Sequence, residues 1–152
     1  AMCKDLKLDF APHSGDDFGI ATAIKLGLPL LIGAASSAGP LICAAKAMWL
    51  AEPNPDGHPG SRVNTRFDTR VYKLFEAFQS LEDQIFRLDE RGSAASYKHS
   101  TAHVLRALGV IVEAETHPDC RDRRGPDEAA RMEEALRRPR RIAERLGIEW
   151  GR

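Results

Sequence analysis

The stretch YKHSTAHVLRALG, residues 97–109, sets His99 and His103 four residues apart. On a helix that spacing stacks two imidazoles one turn apart on the same face. Two such side chains can share a divalent ion, but a zinc site takes three or four protein ligands. HSTAH also lacks the glutamate that makes a zinc-protease helix catalytic. HPDC at 117–120 adds His117 and Cys120. They lie roughly 18 Å past His103 if the helix runs on to 115 at 1.5 Å per residue. The expectation is therefore no metal and no cofactor. His99, His103, His117 and Cys120 are the residues that would hold an ion if the chain turned back at Gly109.

A second chemistry is written in HVLRALG. In histidine phosphotransfer domains an exposed helical His is followed by Leu two residues on, a basic residue at three and Gly at four. His103, Leu105 and Arg106 match, while Ala107 stands where the glycine would be. The seven residues resemble that motif, and the resemblance implies His103 as phosphoryl acceptor with Arg106 beside it. The side chain of Ala107 narrows the approach that a bare backbone leaves open. His103 and Arg106 are the candidate catalytic residues on this reading.

Two further stretches invite ligands. IGAASSAGP, 32–40, could form a strand-to-helix turn whose amides cradle a phosphate, using Gly33, Ser36, Ser37 and Gly39. It has neither the Lys–Ser/Thr end of an ATP-binding loop nor dinucleotide-binding glycine spacing, so a packed small-residue turn is the simpler expectation. RRPRR, 137–141, offers Arg138 and Arg141 to phosphates, with Arg131 and Arg145 on the same element. Interleaved Glu133, Glu134 and Glu144 favour instead a solvated, salt-bridged helix.

The whole chain narrows these options. It has 152 residues, 43% hydrophobic and 29% charged, with net charge zero from 22 basic and 22 acidic residues. That composition is too apolar for disorder. It also carries no global field to steer it to nucleic acid or acidic lipid. Cys3, Cys43 and Cys120 are odd in number and widely spaced, which argues against a disulfide framework and for a reducing compartment. No signal peptide opens the chain, and Ala1 before Met2 reads as a remnant ahead of a native start. A cytoplasmic, complete small protein of one domain is expected, with an N-terminal subregion at 1–52 and a helical one at 62–152.

The elements that must position these residues follow from periodicity. Leu6, Leu8 and Phe10 alternate as in a short strand. Asp16 caps a short helix with Phe18, Ile20 and Ile24 inward, and Gly27 stops it. Residues 26–45 carry no charge over twenty positions, long enough for a membrane span. Pro29, Pro40 and the glycines make it a poor one. A buried extended piece at 28–32 and a helix from Pro40 to about Glu52 are preferred, which makes a membrane partner unexpected.

After the loop at 52–61, Phe67, Val71, Leu74, Phe78, Leu81, Ile85 and Leu88 keep one seam for three heptads. That predicts a helix over 65–91, with Thr65 and Asp68 as a capping box and Gly92 after its end. Ser93 then caps a second helix over 93–115, antiparallel to the first. On that helix Tyr97, Val104, Leu105, Leu108, Ile111 and Val112 share a face. His99 and His103 fall roughly 180–220° from it at 100° per residue, toward water. Pro126 starts a last helix, which Pro139 breaks or kinks and Gly147 ends, with Ile148 and Trp150 docking the tail.

The predicted fold is a mainly α bundle around this hairpin. The alternative is α+β with strands at 5–10, 28–32 and 110–116. The expected function is a non-enzymatic interaction or regulatory protein with a protein partner or self-association. A nucleic-acid factor using the Arg-rich tail, or an enzyme or phosphotransfer protein using His103, are the alternatives.

Overall fold

In the computed structural model the described residues are 14–15, 17–51, 69–88, 94, 96–115 and 124–151. They form five α-helices: α1 Ile20–Leu26, α2 Gly39–Ala51, α3 Thr69–Ile85, α4 Tyr97–Ala107 and α5 Glu128–Leu146. Short 3-10 turns, Asp17–Gly19 and Ala34–Ala38, lead into α1 and α2. The protein is a mainly α helical bundle, as the periodicity predicts. The expected strand at 5–10, the cap at Asp16, the loop at 52–61 and the capping box at 65–68 lie outside the described residues.

The central helix is α3. Its seam buries Val71, Leu74, Phe78, Leu81 and Ile85, with Phe75 and Ala77 beside it. Phe78 is fully enclosed. The seam ends sooner than the spacing suggests, because the helix stops at Ile85 and Leu88 is 64% exposed. The long partner of α3 is not chiefly the next segment. It packs mainly against α2 on one side and α5 on the other, and touches α4 only lightly. The physical reason is length: 17 residues of seam in α3 match the 19 residues of α5, whereas α4 has 11.

The shortness of α4 is a correction to the predicted helix over 93–115. Gly109 takes φ 72°. Its N–H bonds Arg106 O at 2.9 Å, and Val110 N–H bonds Leu105 O at 2.9 Å. That reciprocal pair is the Schellman stop, which a left-handed glycine favours. Residues 110–115 then form neither helix nor strand, and Val112 is 87% exposed. Gly27 and Gly147 end α1 and α5 in the same geometry.

Two further expectations change. Residues 28–32 are not a strand; Ser14 and Leu30 make a single parallel bridge. Pro139 does not break α5, which runs unbroken through it. A proline inside a helix costs about 3 kcal/mol through the lost N–H bond and the clash with the preceding turn. Here Pro139 is buried in line with Met132, Leu136 and Ala143, so the whole stripe packs only if the helix continues. Arg140 reinforces the site by donating to Ala107 O at 2.6 Å, an end carbonyl of α4.

The buried apolar residues form one continuous cluster drawing on all five helices. Trp150 closes it, its indole N–H donating to Ser37 O at 2.8 Å. No described helix is long and apolar enough to cross a membrane. Residues 26–45 are divided among the end of α1, the 3-10 turn and the start of α2.

Candidate functional site

The two histidines sit on α4 and face α5, not open water. This corrects the outward orientation inferred from the apolar stripe: His99 and His103 are both half-buried and Ser100 is fully buried. The first turn of α4 is polar on its inner face because its partner there is polar, while Val104 and Leu108 further on join the apolar core. Glu128, the first residue of α5, is completely buried. It accepts from Ser100 Oγ at 2.7 Å, Arg87 at 3.1 Å and Arg131 at 3.2 Å. Arg124 lies just before α5. It donates to Ser100 Oγ at 3.3 Å and to the carbonyls of Ile85 and Arg87 beyond the end of α3. One buried carboxylate and one buried guanidinium thus lock together the end of α3, the first turn of α4 and the start of α5.

His99 belongs to this joint. The backbone N–H of Arg124 donates to His99 Nδ1 at 2.9 Å. A backbone N–H can only donate, so Nδ1 carries no proton and the neutral ring holds its proton on Nε2. That N–H points at His103 Nε2, 3.2 Å away. His103 Nε2 is therefore the acceptor, and the two rings meet edge to face at 4.6 Å between centroids. Partial burial pushes the His103 pKa below its usual value. Glu128 pulls it back up and Arg106 pushes it down. His103, Arg106 and Ala107 line a shallow recess whose opposite wall is Ala129, Ala130 and Glu133 of α5. The two candidate catalytic residues do share a concavity.

The arrangement constrains the chemistry. A histidine bound to metal through one nitrogen normally donates its other N–H to an acceptor. His99 Nδ1 instead accepts a hydrogen bond, and an ion on Nε2 would move the ring proton to Nδ1 and break the bond to Arg124. No group of three or more metal-ligating side chains occurs among the described residues. His117 and Cys120 lie outside those residues, although the chain does turn at Gly109 and returns to His99 by Arg124. For phosphoryl transfer, His103 Nε2 is occupied by its contact with His99, and attack from it needs that contact to open.

The 33–39 turn does cradle an anion, and the anion is the protein's own. Gly33 N–H and Ala34 N–H donate to the two oxygens of Asp17 at 3.0 and 3.1 Å. Ser37 is buried and donates to Ala34 O at 2.9 Å, Ser36 is exposed, and Gly39 begins α2. On α5, Arg131 is engaged by Glu128 and Gln84, and Arg138 by Glu76 at 2.7 Å. Arg141 donates to Arg137 O at 3.4 Å, and Arg145 is an exposed residue of the last turn. The arginines of the tail therefore form no single uncompensated stripe.

The sequence reading does not find the joint of Ser100, Arg124 and Glu128. The one signal was local, an acid at the start of a helix beside a run of arginines. A second feature is likewise not legible in the sequence. In α2 the inner residues Leu41, Ile42, Ala45 and Trp49 are buried, while Pro40, Cys43, Ala47 and Leu50 are exposed along the outer side. Comparison with protein-family models, curated proteins and solved structures finds no match, so the site rests on its own geometry.

Proposed function

We propose that the protein is a non-enzymatic interaction module that pairs with a second copy of itself through the outer face of α2. One observation carries this reading: Lys46 is the only charged residue of α2, yet only the inner side of this helix is buried by its own chain. A helix this apolar belongs in an interior. Pro40, Cys43, Ala47 and Leu50 are exposed along the outer side, with the partly buried Lys46 at its edge. The small side chains of Cys43 and Ala47 let a second helix approach to about 8 Å.

A second copy fits this face because a two-fold interface sets a patch against itself. With Lys46 as the one charge at its edge, the patch meets its twin with little like-charge repulsion, and zero net charge adds no long-range repulsion between copies. The polar groups that could serve catalysis are engaged within the fold: Asp17 fills the glycine turn, and Arg124 and His99 occupy the histidine nitrogens. A single helix face is smaller than the roughly 800 Å² per partner of a standard interface, so the pairing is concentration-dependent.

Sedimentation equilibrium across a concentration series tests it. Wild type should pass from monomer to dimer mass, and Ala47→Arg should stay monomeric with an unchanged melting temperature. A wild type that remains monomeric throughout, or an Ala47→Arg protein that dimerises as wild type does, overturns the reading.

A further inference from the structure

The histidine pair has a property that follows from counting protons. Between His99 Nε2 and His103 Nε2, 3.2 Å apart, there is room for one proton. It belongs to His99, because Arg124 N–H occupies His99 Nδ1. We propose that His103, His99 and the Arg124 amide form a proton-sensitive latch between α4 and the entry to α5, closed when His103 is neutral and opened when it takes up a proton. The proton comes from solvent and adds to His103 Nε2, forming an N–H bond and leaving an imidazolium. Two N–H groups then face each other, and the contact that orients His99 becomes repulsive. His99 can relieve it by turning, which releases the Arg124 N–H.

The surroundings decide how easily that happens. On its own helix His103 is faced by His99 and by Arg106, whose charge opposes protonation. From α5 it is faced by Glu128, which favours protonation, and by Glu133 across the recess. Both acids already have cationic partners: Arg87 and Arg131 on Glu128, Arg140 on Glu133 at 2.9 Å. An imidazolium at 103 therefore gains only a shared carboxylate in exchange for the lost ring contact. Arg124 reaches the end of α3 and the first turn of α4 from the same position, so releasing its backbone loosens the junction of three helices.

The test is nuclear magnetic resonance on the whole chain, with the ¹⁵N shifts of the imidazole rings and the exchange protection of the Arg124 amide followed from pH 7.5 to 5. The expected result is His99 with its proton on Nε2 at pH 7.5. Arg124 protection should then fall in step with His103 titration, by about tenfold per pH unit below it, the slope of a single linked proton. In His103→Gln that protection should be independent of pH over the same range. Arg124 protection that stays constant while wild-type His103 titrates overturns the latch, and so does the same pH-dependent loss persisting in His103→Gln. The wild-type titration is decisive even if the variant folds poorly.

Discussion

At the scale of single residues, the enclosed side chains carry the largest expected effects. Phe78 of α3 is fully buried, with Phe75 edge-on at 5.8 Å. Phe78→Ala should cost about 3–5 kcal/mol through lost transfer energy and a residual cavity. Gln79→Ala removes only an exposed bond to Asp83 and should stay within about 0.5 kcal/mol of wild type. Equal urea midpoints for the two variants would contradict the core assignment. Glu128→Ala strands Ser100 and the arginines around it. Breaking a buried charge network typically costs about 3–5 kcal/mol, and partial solvent access at Arg87 and Arg131 places this case near the lower figure. A loss under about 1 kcal/mol in urea unfolding would show that the network contributes little. His103 gives the pH dependence its sign. Its folded pKa lies below the ordinary 6.5, so beneath that pH the unfolded chain binds more protons than the folded one. Stability from this group is complete above about pH 6.5 and is lost as pH falls toward the folded pKa. Thermal melts from pH 7.5 to 5 should show a smaller decline in His103→Gln than in wild type. These residues differ in how readable they are: Phe78 follows from spacing alone, whereas the role of Glu128 depends on Ser100, 28 positions earlier.

At the scale of elements, periodicity located the helices and misjudged their ends and neighbours. The seam of α3 is legible because seven apolar residues repeat at heptad spacing, and its burial needs no knowledge of the partner. The inner face of α4 is not legible, because Ser100 and His99 turn inward only to meet Glu128 and Arg124. Gly109 was a visible stop, but Ile111 and Val112 continued the apolar rhythm past it, and the left-handed turn won. Pro139 is the converse case, where local chemistry argued for a break and the buried stripe overrode it. Pro139→Ala restores an N–H bond and helix propensity worth about 3 kcal/mol. It also removes two buried ring methylenes, about 1.6 kcal/mol at 0.8 each. The variant should be more stable by about 1 kcal/mol, a rise of roughly 2–4 °C in melting temperature. A lower melting temperature would mean that the ring's packing against α3 outweighs the backbone cost.

At the scale of the whole molecule, the self-association expected of α2 should respond to salt in a way that separates it from a charged interface. A face whose one charge, Lys46, repels its twin loses nothing to screening, so the dimer fraction should hold or rise as salt increases, whereas ion-paired contacts weaken. Zero net charge was visible in the composition and sets that expectation; the exposed side of α2 was not, since a run without charges reads as buried throughout. The bond from the Trp150 indole to Ser37 spans 113 positions of chain. During synthesis, the turn that launches α2 must wait for 113 further residues before this partner exists. At roughly 5–20 residues per second that delay is on the order of ten seconds. The inner face of α2 has no cover until α3 is made, and the 3-10 turn before it lacks the Trp150 bond until the last. The nascent chain is thus most prone to aggregate while it is still attached to the ribosome, and a holding chaperone would act on it there.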